Sequence, residues 1–308
     1  MKHIFIINPA AGKNDGSQKI YDMAEKLRHD HGLDVDCILT QSPGYATVVT
    51  RRIAEEGEDV RFYACGGDGT VNEVANGIIG FENAAMSCIP IGTGNDFLKN
   101  FGEEAALFAD AENLWDGPQF PLDAIDCNGR IALTIACSGI DARVAADVHK
   151  FSANPLLDGK SSYVAALIVN FLFKGITTHW TLELDGRAVE DDYSLIAVCN
   201  GRYYGGGFMP VAEARMNDGI LNTLVVKKVN RRTFIKFVTP YSKGNYTEFP
   251  HIAFCSTPQV IHIHSEKPDI VTCLDGETIT NSDVTIRLSD KPLQFFGPVG
   301  CNCNKTAR

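Results

Sequence analysis

Three short apolar runs, each followed by a glycine-containing loop, constrain what the first half of this chain can fold into. The runs cover residues 4–7, 62–65 and 86–90, and segments with apolar residues at helical spacing lie between them. Short apolar runs that end in glycine or proline are typical of buried strands. Strands that alternate with helices predict a parallel sheet covered by helices on both faces, and therefore an α/β domain.

The three loops have the sequences NPAAGK (8–13), GGDGT (66–70) and GTGND (92–96). Ligands of open α/β sheets bind at the carboxyl ends of the strands, where these loops are expected to meet. Glycine lets backbone N–H groups approach phosphate oxygens. Thr70 and Glu73 have capping-box spacing, so a helix is predicted to begin at Thr70 with its positive end at the same place. These features predict a phosphate-binding pocket.

Two common nucleotide-binding motifs are excluded by single positions. A Walker A loop needs glycine at position 7 and serine or threonine at position 14, which are Ile7 and Asn14 here. The dinucleotide fingerprint G-x-G-x-x-G would need a third glycine three residues after Gly69 or after Gly94. Asn72 and Phe97 stand at these positions. The sequence therefore predicts a nucleotide pocket of another type.

From about residue 125 the pattern changes to short runs rich in β-branched residues, separated by turn residues. This pattern predicts an antiparallel, β-rich domain. Its runs cover residues 131–136, 180–184, 195–199, 221–226, 260–264, 270–274 and 284–288. Helices are predicted near residues 141–150, 161–173 and 231–242.

The charge of the chain is negative and unevenly distributed. Its 38 acidic and 28 basic residues give a net charge of −10, which argues against a nucleic-acid binder with a basic surface. Residues 1–124 carry −11 (20 acidic and 9 basic residues), whereas residues 125–308 carry +1 (18 acidic and 19 basic residues). This difference indicates two units with different partners.

One stretch of the second half is basic without any acidic residue. Phe234, Phe237, Val238 and Tyr241 lie within it at helical spacing. Such a stretch is typical of a helix at a membrane surface, and also of a solvated helix packed on a sheet. Its six bases are Lys227, Lys228, Arg231, Arg232, Lys236 and Lys243.

No apolar run approaches the roughly 20 residues that a transmembrane helix needs, and the run at 4–7 is too short for a signal peptide. Most of the ten cysteines lie in apolar runs, as expected for reduced core thiols. We therefore expect a cytoplasmic protein without a transmembrane segment. The basic stretch would place it peripherally at the inner face of the membrane.

The strings NPAAGK, GGDGTVNEVANGI and IPIGTGND, in this order, resemble the catalytic-domain family of the diacylglycerol kinases. That family includes soluble bacterial lipid kinases and sphingosine kinases, with NAD kinases as more distant relatives. The similarity covers nearly the whole chain and continues through LD at 122–123, NG at 200–201, GGG at 205–207, DG at 218–219 and LDGE at 274–277.

The resemblance implies two domains with the active cleft between them. Residues 1–124 and 289–308 would form an NAD-kinase-like α/β nucleotide-binding domain with a parallel sheet. Residues 125–288 would form a C-terminal antiparallel β-sandwich for the lipid substrate. ATP would contact Asn8, Pro9, Ala10, Ala11, Gly12, Lys13, Thr40, Gly66, Gly67, Asp68, Gly69, Thr70, Val71, Asn72 and Thr93.

The resemblance also implies roles for three carboxylates. Asp68 would hold the catalytic Mg²⁺, Glu277 would accept the proton of the lipid hydroxyl, and Asp275 would be its partner. Taken alone, Asp68 is more typical of a helix-entry turn, and its place within GGDGT is what favours the metal role. Asp275-Gly276 is equally typical of a β-turn.

A second, structural Mg²⁺ site is implied around Asp218. Its carboxylate would combine with the main-chain carbonyls of Arg215 and Ile220. Asp123 matches the aspartate at the domain junction, linked to the site through water.

The leading hypothesis is therefore an ATP- and Mg²⁺-dependent lipid kinase that transfers the γ-phosphate to a hydroxyl of diacylglycerol or a related lipid at a membrane surface. Two alternatives stay open. NAD kinases share GGDGT, although the NEV that follows it, GTGND and DGE favour the lipid branch. A nucleotide or lipid sensor without catalysis needs none of the three carboxylates.

Overall fold

The computed structural model describes residues 1–12, 15–92, 94–152 and 176–301, without the side chains of 148–152, 190 and 191. The helix predicted near 161–173 lies outside the described residues, as do Lys13 and Thr93. Among the helices in these ranges, none is both long enough and apolar enough to cross a bilayer.

A six-stranded sheet with the strand order β2-β1-β3-β4-β17-β5 forms the first layer of the fold. Its pairings are parallel except that of β17 with β5. The strands are β1 (Lys2–Ile7), β2 (Asp34–Leu39), β3 (Val60–Gly66), β4 (Ala84–Pro90), β5 (Gln119–Leu122) and β17 (Leu293–Phe296). The associated helices are α1 (Ser17–His31), α2 (Tyr45–Glu55), α3 (Asp68–Ile78) and α4 (Asp96–Lys99), followed by 3₁₀ segments at Gly102–Ala109 and Ala111–Asn113.

The predicted meeting of the three loops is confirmed by the strand order. β1, β3 and β4 are adjacent and parallel, so their carboxyl ends, and the loops that follow them, share one edge of the sheet. Both faces of these strands are buried, with Phe5, Ile6, Phe62 and Tyr63 at 0% exposure. Burial on both faces explains why the runs are continuously apolar rather than alternating.

The predicted start of α3 at Thr70 is wrong by two residues. The helix begins at Asp68, and Gly67 occupies the N-cap in an extended conformation without a side-chain cap. The Glu73 carboxylate does not close a capping box. It accepts the backbone N–H groups of Gly44 (2.7 Å) and Ala46 (3.1 Å), and so caps α2 instead.

The second layer is an eleven-stranded antiparallel sheet in which nine strands follow the order β15-β14-β8-β10-β9-β13-β16-β6-β7, while β11 pairs with β10 and β12 pairs with β11. Its strands are β6 (Ile125–Cys127), β7 (Arg130–Ala132), β8 (Ile135–Gly139), β9 (Thr178–Leu184), β10 (Arg187–Cys199), β11 (Asn222–Lys227), β12 (Ala253–Ser256), β13 (Val260–His264), β14 (Ile270–Leu274), β15 (Glu277–Asn281) and β16 (Asp283–Leu288). Two helices, α5 (Ile140–Ser152) and α6 (Arg231–Tyr241), and a 3₁₀ turn at Tyr246–Glu248 pack with it.

This sheet folds over on itself into a sandwich. One buried cluster contains Ile270 of β14, Trp180 of β9 and Ile286 of β16, although these strands are far apart in the strand order. Distant strands can share one core only when the sheet curls, as in sandwich and barrel folds. The predicted fold class, a parallel α/β domain plus an antiparallel β-sandwich, is therefore confirmed.

The run at 131–136, predicted as one strand, is interrupted. β7 ends at Ala132 and β8 begins at Ile135. The backbone N–H groups of Leu133 and Thr134, between the two strands, donate to the carboxylate of Asp275 instead of to a neighbouring strand. The prediction failed because this partner lies about 140 residues along the chain.

The last described strand returns the chain to the first sheet. β17 lies between β4, to which it is parallel, and β5, to which it is antiparallel. Sheet membership thus changes after residue 122 and again before residue 293. The division into 1–124 with 289–308, and 125–288, stays a prediction that this membership supports.

The crossing of α2 and α3 gives a test of the packing. A Cβ at Gly77 would lie 1.9 Å from Thr50 Oγ1 and 2.8 Å from the Thr47 carbonyl oxygen. We expect Gly77→Ala to lower the free energy of unfolding by about 1–3 kcal/mol, because the helices must separate. Gly69→Ala is the control, since nothing lies within 4 Å of its Cβ. Urea denaturation of both variants measures this free energy. A wild-type value for Gly77→Ala would contradict the close crossing.

Candidate active site

Two cavities adjoin at Gly94. The first, here called the loop cavity, has a volume of about 630 Å³ and is lined by the three glycine loops, residues 40–43 and Glu277. The second, here called the inter-domain cavity, has a volume of about 300 Å³ and lies between Asp68 of α3 and Asp275 of the second domain. Gly94 lines both, so molecules bound in the two cavities would approach each other there.

The loop cavity is a pocket made largely by backbone. A Cβ at Gly12 would lie 2.6 Å from the Ile91 carbonyl oxygen, and a Cβ at Gly92 would lie 2.7 Å from Gly67 Cα. Only glycine allows the loops to approach this closely. Gly69 and Thr70 bring the first turn of α3 to the wall of the cavity, and a helix N-terminus favours anions. None of the described lining residues is lysine or arginine.

Most of the residues predicted to contact a nucleotide line this one cavity. They are Asn8, Pro9, Ala10, Ala11, Gly12, Thr40, Gly67, Gly69 and Thr70. Asn8 Nδ2 donates to Thr70 Oγ1 at 3.1 Å and so ties the first loop to α3. Gly92 and Gly94, of the predicted GTGND loop, also line the cavity; lining residues without a predicted role in ATP binding are Gln41, Ser42, Pro43 and Glu73. The sequence feature that could have identified them is their position next to Thr40 and to the glycine motifs.

Four other residues predicted to contact ATP do not line the loop cavity. Gly66 does not line the loop cavity. A Cβ at this position would lie 2.2 Å from Thr70 Oγ1, so its glycine serves packing. Asp68 and Val71 line the inter-domain cavity. Asn72 is buried and donates from Nδ2 to the Ile131 carbonyl oxygen (3.0 Å) and to Asp275 Oδ2 (3.0 Å).

The carboxylate of Asp275 is the most heavily hydrogen-bonded group of the site. It accepts the backbone N–H groups of Leu133 (2.5 Å), Thr134 (3.0 Å) and Ile135 (3.0 Å). It also accepts the Thr134 hydroxyl (2.6 Å) and the Asn72 amide. A carboxylate offers about four lone-pair positions, so five donors saturate it. Asp275 therefore positions its neighbours and has no free lone pair for a metal ion or a further hydrogen-bond donor.

Asn76 extends this network between the two domains. Its amide donates to the Ile131 carbonyl oxygen (3.0 Å), and its Oδ1 accepts the Ile131 N–H (3.0 Å). The bonds of Asn72 and Asn76 join α3 to β7, and through Asp275 to the turn between β14 and β15. The turn carries Asp275 at φ 49°, a left-handed conformation that aspartate tolerates.

Glu277 and Asp68 line different cavities. Glu277 is exposed and lines the loop cavity. Asp68 lines the inter-domain cavity, and a Cβ at Gly94 would lie 3.2 Å from its Oδ2. The Asp68 carboxylate accepts the backbone N–H groups of Asp96 (3.1 Å) and Phe97 (3.0 Å). Burial raises the pKa of Asp68, an effect that these two hydrogen bonds oppose.

Asp96, the last residue of the GTGND loop, has a role in the site that the sequence did not predict. Its carboxylate lines the inter-domain cavity and accepts Lys99 Nζ (2.5 Å) and the Gly206 N–H (2.6 Å). It thereby joins the GTGND loop to the three glycines at 205–207. Its position at the end of the GTGND motif, beside a strand end, was the available signal.

The residues predicted for a second metal site are also neighbours. Asp123 Oδ2 accepts the Gly219 N–H at 2.7 Å, and Asp218 Oδ1 accepts the Ile220 N–H at 3.0 Å. Burial, with a further contribution from Asp218, raises the pKa of Asp123. The Arg215 guanidinium donates to main-chain carbonyls of its own loop. Within the described ranges, no group of three or more His, Cys, Asp or Glu side chains is placed to hold a metal ion, so this site stays a prediction.

The Asp275 network predicts that Asp275 and Glu277 contribute very differently to the free energy of unfolding. Asp275→Asn puts an NH₂ group against N–H donors, and we expect it to lower the free energy of unfolding by about 2–4 kcal/mol. Glu277→Gln changes an exposed carboxylate and should shift that free energy by less than about 0.5 kcal/mol. Denaturation curves of both variants provide the measurement, and equal shifts would contradict the assignment.

Comparison with known proteins supplies the family. The diacylglycerol kinase catalytic domain model matches residues 2–127, and the YegS C-terminal NAD kinase beta sandwich-like domain model matches residues 134–297. The diacylglycerol kinase of Bacillus subtilis (strain 168) is 28% identical over 275 residues, 88% of this chain and 88% of that protein. The diacylglycerol kinase of Staphylococcus aureus (strain bovine RF122 / ET3-1) is 26% identical over 273 residues, 88% of this chain and 84% of that protein.

A crystal structure from Bacillus anthracis str. Sterne shares the fold, with a TM-score of 0.74, 24% identity and coverage of 96% of both chains. The two family models together cover most of the sequence, in the order in which the two domains occur. The chain therefore belongs to the diacylglycerol kinase catalytic-domain family of lipid kinases.

Proposed function

We propose that this protein is an ATP- and Mg²⁺-dependent kinase that phosphorylates a hydroxyl of diacylglycerol or a related lipid. The observation that carries the proposal is the meeting of the two cavities at Gly94, with Asp68 on the wall of the inter-domain cavity and Glu277 on the wall of the loop cavity. The loop cavity would hold ATP, and the inter-domain cavity the lipid hydroxyl. The names of the Bacillus subtilis and Staphylococcus aureus relatives support a lipid acceptor.

The loop cavity suits a triphosphate without a basic wall. Backbone N–H groups of glycine loops and the first turn of a helix bind phosphate oxygens. Asn8 and Thr70 add polar side chains, and Lys13 is proposed as a phosphate contact from its place in the NPAAGK loop. Phosphoryl transfer depends mostly on such positioning and on neutralising charge.

The carboxylates at the junction fit magnesium that arrives with the nucleotide. Magnesium takes one or two carboxylates together with phosphate oxygens and water. Each Asp68 oxygen accepts one backbone N–H and keeps a lone pair, and Glu277 accepts no hydrogen bond from the described residues. When bound, Mg²⁺ would neutralise charge on the phosphates; Asp68 is the proposed ligand on the protein.

Glu277 is the proposed proton acceptor and Asp275 the residue that positions it. As the lipid oxygen forms its bond to the γ-phosphorus, its proton passes to the Glu277 carboxylate. The bond between the γ-phosphorus and the bridging oxygen breaks, and ADP leaves. Asp275, saturated by five donors, fixes the turn two residues before Glu277.

The inter-domain cavity favours a lipid over NAD as the acceptor. Its wall includes Val71, Phe97, Leu133 and Ile135 beside the carboxylates, a combination that suits an apolar molecule with a hydroxyl head. Asp68, Asp96 and Asp275 also line it, and their negative charges would repel the phosphates of a dinucleotide. The NAD kinase alternative is therefore weaker.

The catalytic role of Glu277 has a direct kinetic test. With labelled ATP, Mg²⁺ and a lipid extract, wild-type protein should yield a phosphorylated lipid, and no product with NAD. Glu277→Gln should lower kcat by about 10²- to 10⁴-fold, because a general base contributes that much. Glu266→Gln, also exposed, is the matched control and should keep the wild-type rate. Near-normal rates in folded Glu277→Gln and Asp275→Asn proteins would refute the assignment, and turnover of NAD but not lipid would refute the acceptor.

We further propose that α6 docks the second domain on an anionic bilayer. Phe237 and Tyr241 are buried against the sheet, whereas Arg231, Arg232 and Lys236 are exposed. Ile235 lies among these bases and is 63% exposed. An apolar side chain surrounded by bases is complementary to an anionic membrane surface, where each base contributes about 1 kcal/mol.

Vesicle co-sedimentation tests this docking. The double variant Arg232→Glu/Lys236→Glu should lose most binding to anionic vesicles, and high salt should weaken binding of the wild type. Lys19→Glu, an exposed charge reversal in the first domain, should bind like the wild type. Equal binding to anionic and neutral vesicles, or no loss in salt, would contradict the docking.

A further inference from the structure

Two cysteines face each other across the strands that lead to the Asp275 turn. Cys137 of β8 and Cys273 of β14 are directly opposite in the antiparallel register, and both line the inter-domain cavity. Both are free thiols, 1% and 5% exposed. The proposed phosphoryl transfer uses neither of them. A small molecule that enters the cavity therefore meets two adjacent thiols.

The register places the two residues at a distance that a disulfide can bridge. The Asp275 N–H donates to the Ile135 carbonyl oxygen at 3.2 Å, so Ile135 and Asp275 form a hydrogen-bonded pair of the ladder. Such pairs recur at every second residue of antiparallel strands, and Cys137 with Cys273 is therefore the next one. The Cα atoms of such a pair are about 5.5 Å apart, and disulfides join Cα atoms about 4.4–6.8 Å apart.

The two side chains already interact in the reduced protein. A hydrogen bond with Cys273, together with burial, raises the pKa of the Cys137 thiol. The neighbouring opposite pair, Ser138 and Thr272, brings its hydroxyl oxygens to 2.8 Å, so β8 and β14 are closely paired at this point. A disulfide would need no change of register.

We propose that Cys137 and Cys273 are an oxidation site, at which hydrogen peroxide forms a reversible disulfide that slows phosphoryl transfer. One thiolate attacks a peroxide oxygen, the O–O bond breaks, and a sulfenic acid and a hydroxide ion form. The hydroxide takes up the proton that this thiol lost. The second thiol attacks the sulfenic sulfur, so the S–S bond forms and the S–O bond breaks. The thiols lose two electrons, and the peroxide becomes two water molecules.

The rate of this oxidation depends on pH. The thiolate, not the thiol, is the nucleophile. The raised pKa of Cys137 therefore makes its reaction slow at neutral pH and faster in alkaline buffer. Sustained exposure to peroxide is needed, and the pair stays reduced otherwise.

The disulfide would act on transfer through the turn that carries Asp275 and Glu277. Opposite Cβ atoms of antiparallel strands are about 4.5–5.5 Å apart, whereas those of a disulfide are about 3.8 Å apart. The bond would thus draw β14 toward β8 by about 1 Å. Cys273 lies two residues before Asp275, and Cys137 lies two residues after Ile135, whose N–H donates to the Asp275 carboxylate at 3.0 Å. This effect on transfer rests on the proposed kinase function.

Peptide mass spectrometry and activity, measured on the same samples, test the inference. Reduced full-length protein is treated with hydrogen peroxide in mildly alkaline buffer, catalase stops the reaction, and the remaining thiols are alkylated. For the wild type we expect a cross-linked peptide pair that contains Cys137 and Cys273. The rate of transfer from labelled ATP to a lipid extract should fall about 10- to 100-fold, as for a reacting group misplaced by about 1 Å. Dithiothreitol should reverse both changes.

Variants assign the effect to the pair through the ratio of the rates after and before oxidation, measured for each protein separately. In Cys137→Ala and in Cys273→Ala the cross-link cannot form, and this ratio should stay close to one. Cys199→Ala is the matched control. Cys199 belongs to the same buried cluster as Cys137 but lies opposite Ile135 and Asn222, so its removal should leave the cross-link and the wild-type ratio.

The outcomes separate this inference from the proposed function. The inference is overturned if Cys137 and Cys273 do not cross-link while other cysteines are oxidised, or if the cross-link forms without loss of transfer. An equal loss in the wild type and in both pair variants would also overturn it. If one pair variant does not fold, the other decides by the same ratio. No transfer by the reduced wild type would overturn the kinase function and the effect on transfer, whereas the cross-link would still decide the disulfide.

Discussion

The carboxylate of Asp275 is the interaction on which the site depends. Three consecutive backbone N–H groups, a hydroxyl and an amide converge on it, and they come from the break between β7 and β8 and from α3. A charge in this half-buried position is stable only because every lone pair is used. The network fixes the β14–β15 turn against the first domain and thereby places Glu277 on the wall of the loop cavity.

The two cavities differ in the groups that line them: backbone groups predominate in the loop cavity, and carboxylates among apolar side chains in the inter-domain cavity. Around the loop cavity, glycines pack too closely for any side chain, so the groups available to phosphate are mainly backbone N–H groups and a helix end. Around the inter-domain cavity, carboxylates stand among apolar side chains. The first 124 residues can bind a nucleotide although they are strongly acidic, because the phosphates would be bound mainly by backbone N–H groups rather than by lysine and arginine side chains. Three bases of the second half, Arg231, Arg232 and Lys236, lie instead on the exposed face of α6.

The sequence predicted those parts of the fold that follow from local patterns. Alternating strands and helices, the meeting of the three loops, and helices α5 and α6 all follow from periodicity and glycine position. The break at Leu133 and Thr134, and the use of Glu73 to cap α2, depend on partners remote in sequence.

The most direct test of the account is a crystal structure with Mg²⁺ and a non-hydrolysable ATP analogue. The account predicts that the triphosphate lies along residues 8–12 and the first turn of α3, with its γ-phosphate at Gly94 between Asp68 and Glu277. Phosphates bound outside the loop cavity, or a γ-phosphate directed away from the inter-domain cavity, would contradict it.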